Sequence, residues 1–151
     1  MKTKEVPQDD AGMMQGKYRE PMYSLDKDGN YTTVRSVGWE PKNEVFLEAL
    51  AAINEKIEDT RQKVIAGELS PIAYFTELNK MDAGLLAKYM GLWTWTVKRH
   101  FKPKNFNKLS DKVLGKYAAV FEISKEKLTD IESLKNAKPV DLTDSLKERE
   151  K

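Results

Sequence analysis

Three small residues at fixed spacing constrain this chain more than anything else in it. In the segment MDAGLLAKYMGLWTWTVKRHF, residues 81–101, Ala87 lies five residues after the helix-capping Asp82, Gly91 four later and Val97 six after that. Leu86, Met90 and Leu92 fill apolar slots between them. This is the spacing two short helices need to cross steeply and share a small core. Ala87 leaves room for the second helix. Gly91 can take a positive φ at the bend without a Cβ clash, and Val97 packs back. A two-helix unit of this kind can lay its second helix in a DNA major groove.

Composition bounds the alternatives. The 151 residues suffice for one compact domain with appendages or for two small ones. Apolar residues make up 40% and charged ones 33%, a balance that suits a globular chain with much exposed helix. Cysteine is absent, which excludes disulfides and thiolate metal sites. His100 is the only histidine, so a histidine metal cluster is not expected, and no cofactor motif is present. No apolar run approaches membrane-spanning length, and the segment MKTKEVPQDD has no apolar signal core. A cytoplasmic protein without a membrane partner is expected.

The net charge of +2 is unevenly spread. Residues 82–116 carry eight basic side chains against two acidic ones, while residues 40–68 carry four against seven. Positive charge therefore gathers around the two-helix unit, where phosphate backbones would attract it in a salt-dependent way.

Residues 1–20 read as a flexible arm, since they lack apolar periodicity. Residues 21–69 hold a β-hairpin and a long helix. Met22, Tyr23 and Leu25 precede the turn Asp28-Gly29-Asn30, and Tyr31 to Val34 follow as a β-branched and aromatic run. A lone hairpin is marginal in water, so it should pack on a helix or a second copy, with Trp39 as anchor. Asp26, Asp28 and Asn30 superficially suggest a calcium loop, but no bidentate Glu follows at the needed spacing, so a simple turn is expected. The helix over 42–66 carries Phe46, Leu50, Ile53, Ile57, Thr60 and Val64 at spacings of four and three. The stripe suits either a dimer seam or packing within the chain. Gly67 should stop it.

Residues 70–132 read as all-helical: 71–80 after Ser70, 82–90 after Asp82, 94–101, a helix after Ser110, and a fifth over SKEKLTDIE after Ser124. Pro103 ends the third helix or starts an extended segment. The charged stretch 133–151 reads as a flexible tail. The fold class expected is mainly α: a five-helix domain preceded by a short hairpin and a long helix.

Residues 71–131 resemble the Cro/phage-repressor type of helix-turn-helix domain. The likeness rests on LLAKYMGLWTWTVKR and on LSDKVLGKYAAVFEISKEKL, where Leu114, Tyr117, Ala118, Phe121, Ile123, Ser124 and Leu128 occupy the places of that family's fourth and fifth helices. The chain departs from the pattern at Trp93, which stands where Ser or Thr usually opens the recognition helix, leaving Thr94 as the expected cap. It departs again at His100, in a late apolar position, and at Glu122, which replaces a Gly.

The resemblance implies a sequence-specific binder of double-stranded DNA, a bacterial or phage-type transcriptional regulator acting as a homodimer. Its DNA-binding residues would be Trp93, Thr94, Trp95, Thr96, Lys98, Arg99, Lys102, Lys104 and Lys108. Arg99 is the best base reader, because its planar fork matches guanine O6 and N7. Thr94 and Thr96 suit phosphate or a thymine methyl, and the lysines suit phosphates. The start of the 82–90 helix would face another phosphate. On a helix, Trp93 and Trp95 point about 200° apart, so at least one is expected in the core. No catalytic constellation surrounds His100, and Glu55, Glu58 and Asp59 read as a solvated face, so no enzymatic activity is expected. The alternatives are a protein-interaction module anchored by Trp93 or Trp95, and an antitoxin-like regulator whose N-terminal region holds a protein partner.

Overall fold

The computed structural model describes residues 1–9 and 19–142. It is mainly helical, with an N-terminal two-stranded antiparallel hairpin, one long helix and several shorter ones. Two compact units form, Met1–Ala52 with Leu142, and Ile53–Asp141. Residues 143–151 of the expected tail lie outside the described residues.

In the first unit β1 (Glu20–Leu25) pairs with β2 (Tyr31–Ser36), Glu20 opposite Ser36 and Leu25 opposite Tyr31. The turn forms because the Asp26 carboxylate accepts from the backbone N–H groups of Asp28 (2.8 Å) and Asn30 (2.9 Å), while Gly29 takes φ 80°. Those bonds hold the Asp26 carboxyl below its usual range, the Asn30 N–H contributing most. The strand period of two sends Tyr23 and Tyr31 outward and Ser24 and Ser36 inward.

Of the arm expected over 1–20, residues 10–18 lie outside the described residues, residues 1–9 are ordered and Glu20 opens β1. Residues 1–9 run along the hairpin: Leu25 N–H donates to the Met1 carbonyl, Asp9 N–H to that of Gly38, and the Ser36 hydroxyl to that of Pro7. Val6 is the buried apolar residue here, whereas Trp39, expected as anchor, is half exposed. Backbone pairing to strand ends needs no apolar periodicity, which is why the sequence pattern misses it.

The long helix α1 spans Glu40–Ile65. Gly67 follows it with φ 76°. Ile57, Thr60, Arg61 and Val64 are buried in the second unit, so the unit boundary falls within α1 rather than after residue 69. The C-terminal half of the stripe thus packs within its own chain, while Val45, Phe46 and Leu47 stay exposed.

At the centre of the second unit lies α2 (Pro71–Leu78), buried continuously from Pro71 to Thr76, as an apolar-all-round helix must be. Around it stand α3 (Ala83–Met90), α4 (Thr94–His100), α6 (Asp111–Val120) and α7 (Lys125–Thr129), the five helices expected. Phe75 stacks on Phe121 at 5.8 Å, and Phe121 on Tyr117 at 6.3 Å. Two further helices appear. Residues 103–106 form a short α5 (Pro103–Phe106) with Phe106 buried, not an extended segment. The fifth helix stops at Asp130, whose side chain accepts from Ser133 N–H and opens α8 (Ile131–Asn136). Leu134 is buried there, so the start of the expected flexible tail is folded.

Glu122 has φ 55°. Left-handed backbone costs an L-residue roughly 1–2 kcal/mol, and Gly gives back part of that as chain entropy. Glu122 is exposed, so Glu122→Gly loses no packing. It should raise stability by about 0.5–1 kcal/mol, read as a higher urea midpoint.

Candidate nucleic-acid interface

The two-helix unit is built as its small residues require. Leu86, Ala87 and Val97 are fully or almost fully buried, and Met90 nearly so. Asp82 caps α3 by accepting from Leu85 N–H at 2.7 Å. Gly91 sits at φ 66°, ψ 33°, and its N–H returns to the Lys88 carbonyl while Leu92 N–H returns to that of Ala87. The Asp82 carboxylate therefore occupies the start of α3. A phosphate facing the start of α3 would stand beside that carboxylate.

The C-terminal end of α4 is tied to the start of α2. Ser70, expected as a cap for α2, makes no side-chain cap bond. Its hydroxyl donates to the His100 carbonyl at 2.7 Å, and its N–H donates to the Phe101 carbonyl at 2.7 Å. Asn105 from α5 adds a third restraint, its amide donating to the Arg99 carbonyl at 2.8 Å. Three of the last carbonyls of α4 are thereby satisfied by groups outside the helix.

Both tryptophans of α4 face solvent, against the expectation that one is core: Trp93 is 75% exposed and Trp95 58%. Trp93 escapes that constraint because of its backbone. That residue is the N-cap in extended conformation (φ −75°, ψ 143°), so helical geometry does not set its direction, and Thr94 is the first helical residue rather than the cap. Trp95 is helical and lies two residues before the buried Val97, on the opposite side. Arg99, four residues on, shares that outer face, and its Cζ lies 5.8 Å from the Trp95 ring centroid.

Lys98 and Arg99 are exposed on α4, Lys102 stands at the start of α5 and Lys104 within it, and Lys108 lies in the loop before α6. Among the described residues none of these five forms a salt bridge with a carboxylate. Trp95, Thr96, Arg99 and Lys108 converge on an open concavity of about 280 Å³ that His100, Asn105 and Leu109 complete. Trp93, Thr94, Lys98, Lys102 and Lys104 do not line it. The spacing of residues within α4 gave no sign of Asn105 or Leu109, which a separate turn brings up. No protein-family model, no curated protein and no solved structure matches this chain.

His100 supports the concavity from below. Its Nδ1 lies 2.8 Å from the Tyr117 hydroxyl. Burial pushes the Tyr117 phenol up to about 12, so the hydroxyl stays protonated and can donate to a neutral imidazole. Burial, and secondarily the Arg99 charge, hold the His100 pKa below its ordinary value. The unfolded chain thus takes up a proton on this group at higher pH than the folded one. The stability His100 contributes is complete above its unfolded pKa of about 6.5 and is lost as pH falls from there through the lowered folded value. Urea midpoints measured from pH 8 to 5 should fall across that window, and His100→Gln should flatten the fall. An equal fall in the variant would exclude His100 as the titrating group.

Proposed function

We propose that this chain binds double-stranded DNA in a sequence-specific way, with α4 in the major groove and Arg99 as the principal base reader, as a dimeric transcriptional regulator. The observation that carries the reading is the outer face of α4. It follows a left-handed Gly91 bend and presents Lys98 and Arg99 without acidic partners, flanked by Lys102, Lys104 and Lys108. Free cations on a short exposed helix match what phosphates and guanine edges require. Thr94 and Thr96 supply hydroxyls beside them, and Trp93 stands at the entry. Two half-sites read by two copies would give the specificity that one seven-residue helix lacks. The exposed Val45, Phe46 and Leu47 of α1 are the natural place to join the copies.

Selection from a random duplex pool, followed by anisotropy titrations of the recovered site at two salt concentrations, tests the reading. Arg99→Ala should weaken discrimination at one guanine by about 1–3 kcal/mol. Lys98→Ala should weaken binding to all duplexes and reduce the salt slope by about one. Wild-type affinity in both variants at both salts would sink the proposal.

A second reading has its own observation. Leu85, Tyr89, Leu92 and Trp93 are all exposed on α3 and the bend. Leu85 and Tyr89, four apart, share a face, and such a patch suits a protein partner. A recovered protein complex that survives Arg99→Ala but is lost in Tyr89→Ala would favour it.

A further inference from the structure

We infer that Trp95 is a positioning residue for Arg99, holding the guanidinium by its flat face so that the whole donor fork remains free for a base edge. The inference rests on the DNA-binding reading above and adds how its principal contact is prepared. Three observations carry it. The Arg99 guanidinium carbon lies 5.8 Å from the centroid of the Trp95 ring, within cation–π range. The two residues sit four apart on the outward side of α4, with the indole 58% exposed, so the ring is not there to fill the core. Arg99 has no carboxylate to hold it among the described residues, and its backbone carbonyl is fixed by Asn105.

The choice of an indole over a carboxylate has a chemical consequence. A carboxylate that orients an arginine takes up two of its five N–H donors, as Glu58 does with Arg61, and leaves fewer for a base edge. An aromatic face attracts the guanidinium through its ring quadrupole and takes up no donor. All five N–H groups then stay available to a base edge. The stack restricts a long side chain before DNA arrives, so less freedom is lost when the bidentate contact forms. Trp95 also walls the concavity shared by Thr96, His100 and Lys108, which limits where the guanidinium can swing.

The test has one arm without DNA and one with it. In the free protein, NMR should place the Arg99 side-chain protons upfield of ordinary arginine because of the indole ring current. The shift should vanish in Trp95→Ala and persist in reduced form in Trp95→Phe. In the second arm the probe is the duplex selected from a random pool, with each guanine replaced in turn by 7-deazaguanine, which lacks N7. Trp95→Ala should reduce discrimination at the guanine read by Arg99 by about two- to fivefold, with Trp95→Phe between it and wild type. In an Arg99→Ala background the same change should reduce discrimination at that guanine no further. No ring-current shift in the free protein overturns the inference, as does a loss from Trp95→Ala that adds in full to the loss from Arg99→Ala. Failure of the wild-type chain to select any duplex overturns the DNA reading and this inference with it. Selection that succeeds with additive losses overturns this inference alone.

Discussion

Arg61→Ala should lower the stability of the Ile53–Asp141 unit by about 2–4 kcal/mol. Arg61 is buried within that unit although it stands on a charged helix. Its Nη1 donates to the Leu134 carbonyl at 2.6 Å and to the Ala137 carbonyl at 2.8 Å. Its Nε and Nη2 make a bidentate pair with Glu58, each at 2.8 Å. Removing the guanidinium leaves carbonyls at the end of α8 without their donor and Glu58 without its cation. Arg61 is buried and Glu58 half-buried, so most of the cost comes from the two carbonyls left without a donor. Arg61→Lys should recover only part of the loss, because a point charge cannot serve the two carbonyls and the carboxylate at once. Urea unfolding followed by circular dichroism measures it. A change below about 0.5 kcal/mol, the ordinary range for a surface site, would show that Arg61 behaves as a solvated residue. The same pair gives an acid signature. The Arg61 hydrogen bond holds the Glu58 carboxyl below its ordinary value, so its stabilisation is complete above the unfolded pKa of about 4.3 and is lost as pH falls through the lowered folded one.

Arg61 also marks where sequence reasoning stops. Its two carbonyl partners lie 73 and 76 residues away, and nothing in the local pattern of α1 separates it from the solvated Glu and Lys around it. The hairpin, the Asp82 cap and the Gly91 bend were legible because their causes are local: an Asx turn, a carboxylate reaching three residues on, a missing Cβ. The direction of Trp93 was not, because it depends on one extended residue between two helices. Helices as short as α5 and α8, of four and six residues, are held by single buried anchors, Phe106 and Leu134, and show too few turns for a periodic pattern. The candidate interface divides in the same way. Trp95 and Arg99 share a face by spacing alone, while Asn105 and Leu109 come from a separate turn. Asp82 makes α3 recognisable because its cap bond is local.

Ala87→Leu should cost about 3 kcal/mol and should displace α4, and with it the candidate interface, before the unit unfolds. Ala87 is 2% exposed at the α3–α4 crossing, next to the fully buried Leu86 and Val97. Three added carbons must enter a site where Ala87 and its neighbours are already buried, and overpacking of a tight core typically costs 1–3 kcal/mol. Relief requires α4 to move away from α3, yet its far end is held by Ser70 and Asn105. The helix should therefore tilt about that end and carry Trp95 and Arg99 out of register. Gly91→Ala is the informative contrast. A Cβ at Gly91 meets no atom within 4 Å, so its cost is that of the left-handed backbone alone, about 1–2 kcal/mol. Ala87 is thus limited by volume and Gly91 by φ. Thermal melts should rank Ala87→Leu below Gly91→Ala, and duplex discrimination by folded protein should fall further in the first. Equal melts for the two variants would mean that α3 and α4 do not cross at Ala87 as tightly as its burial indicates.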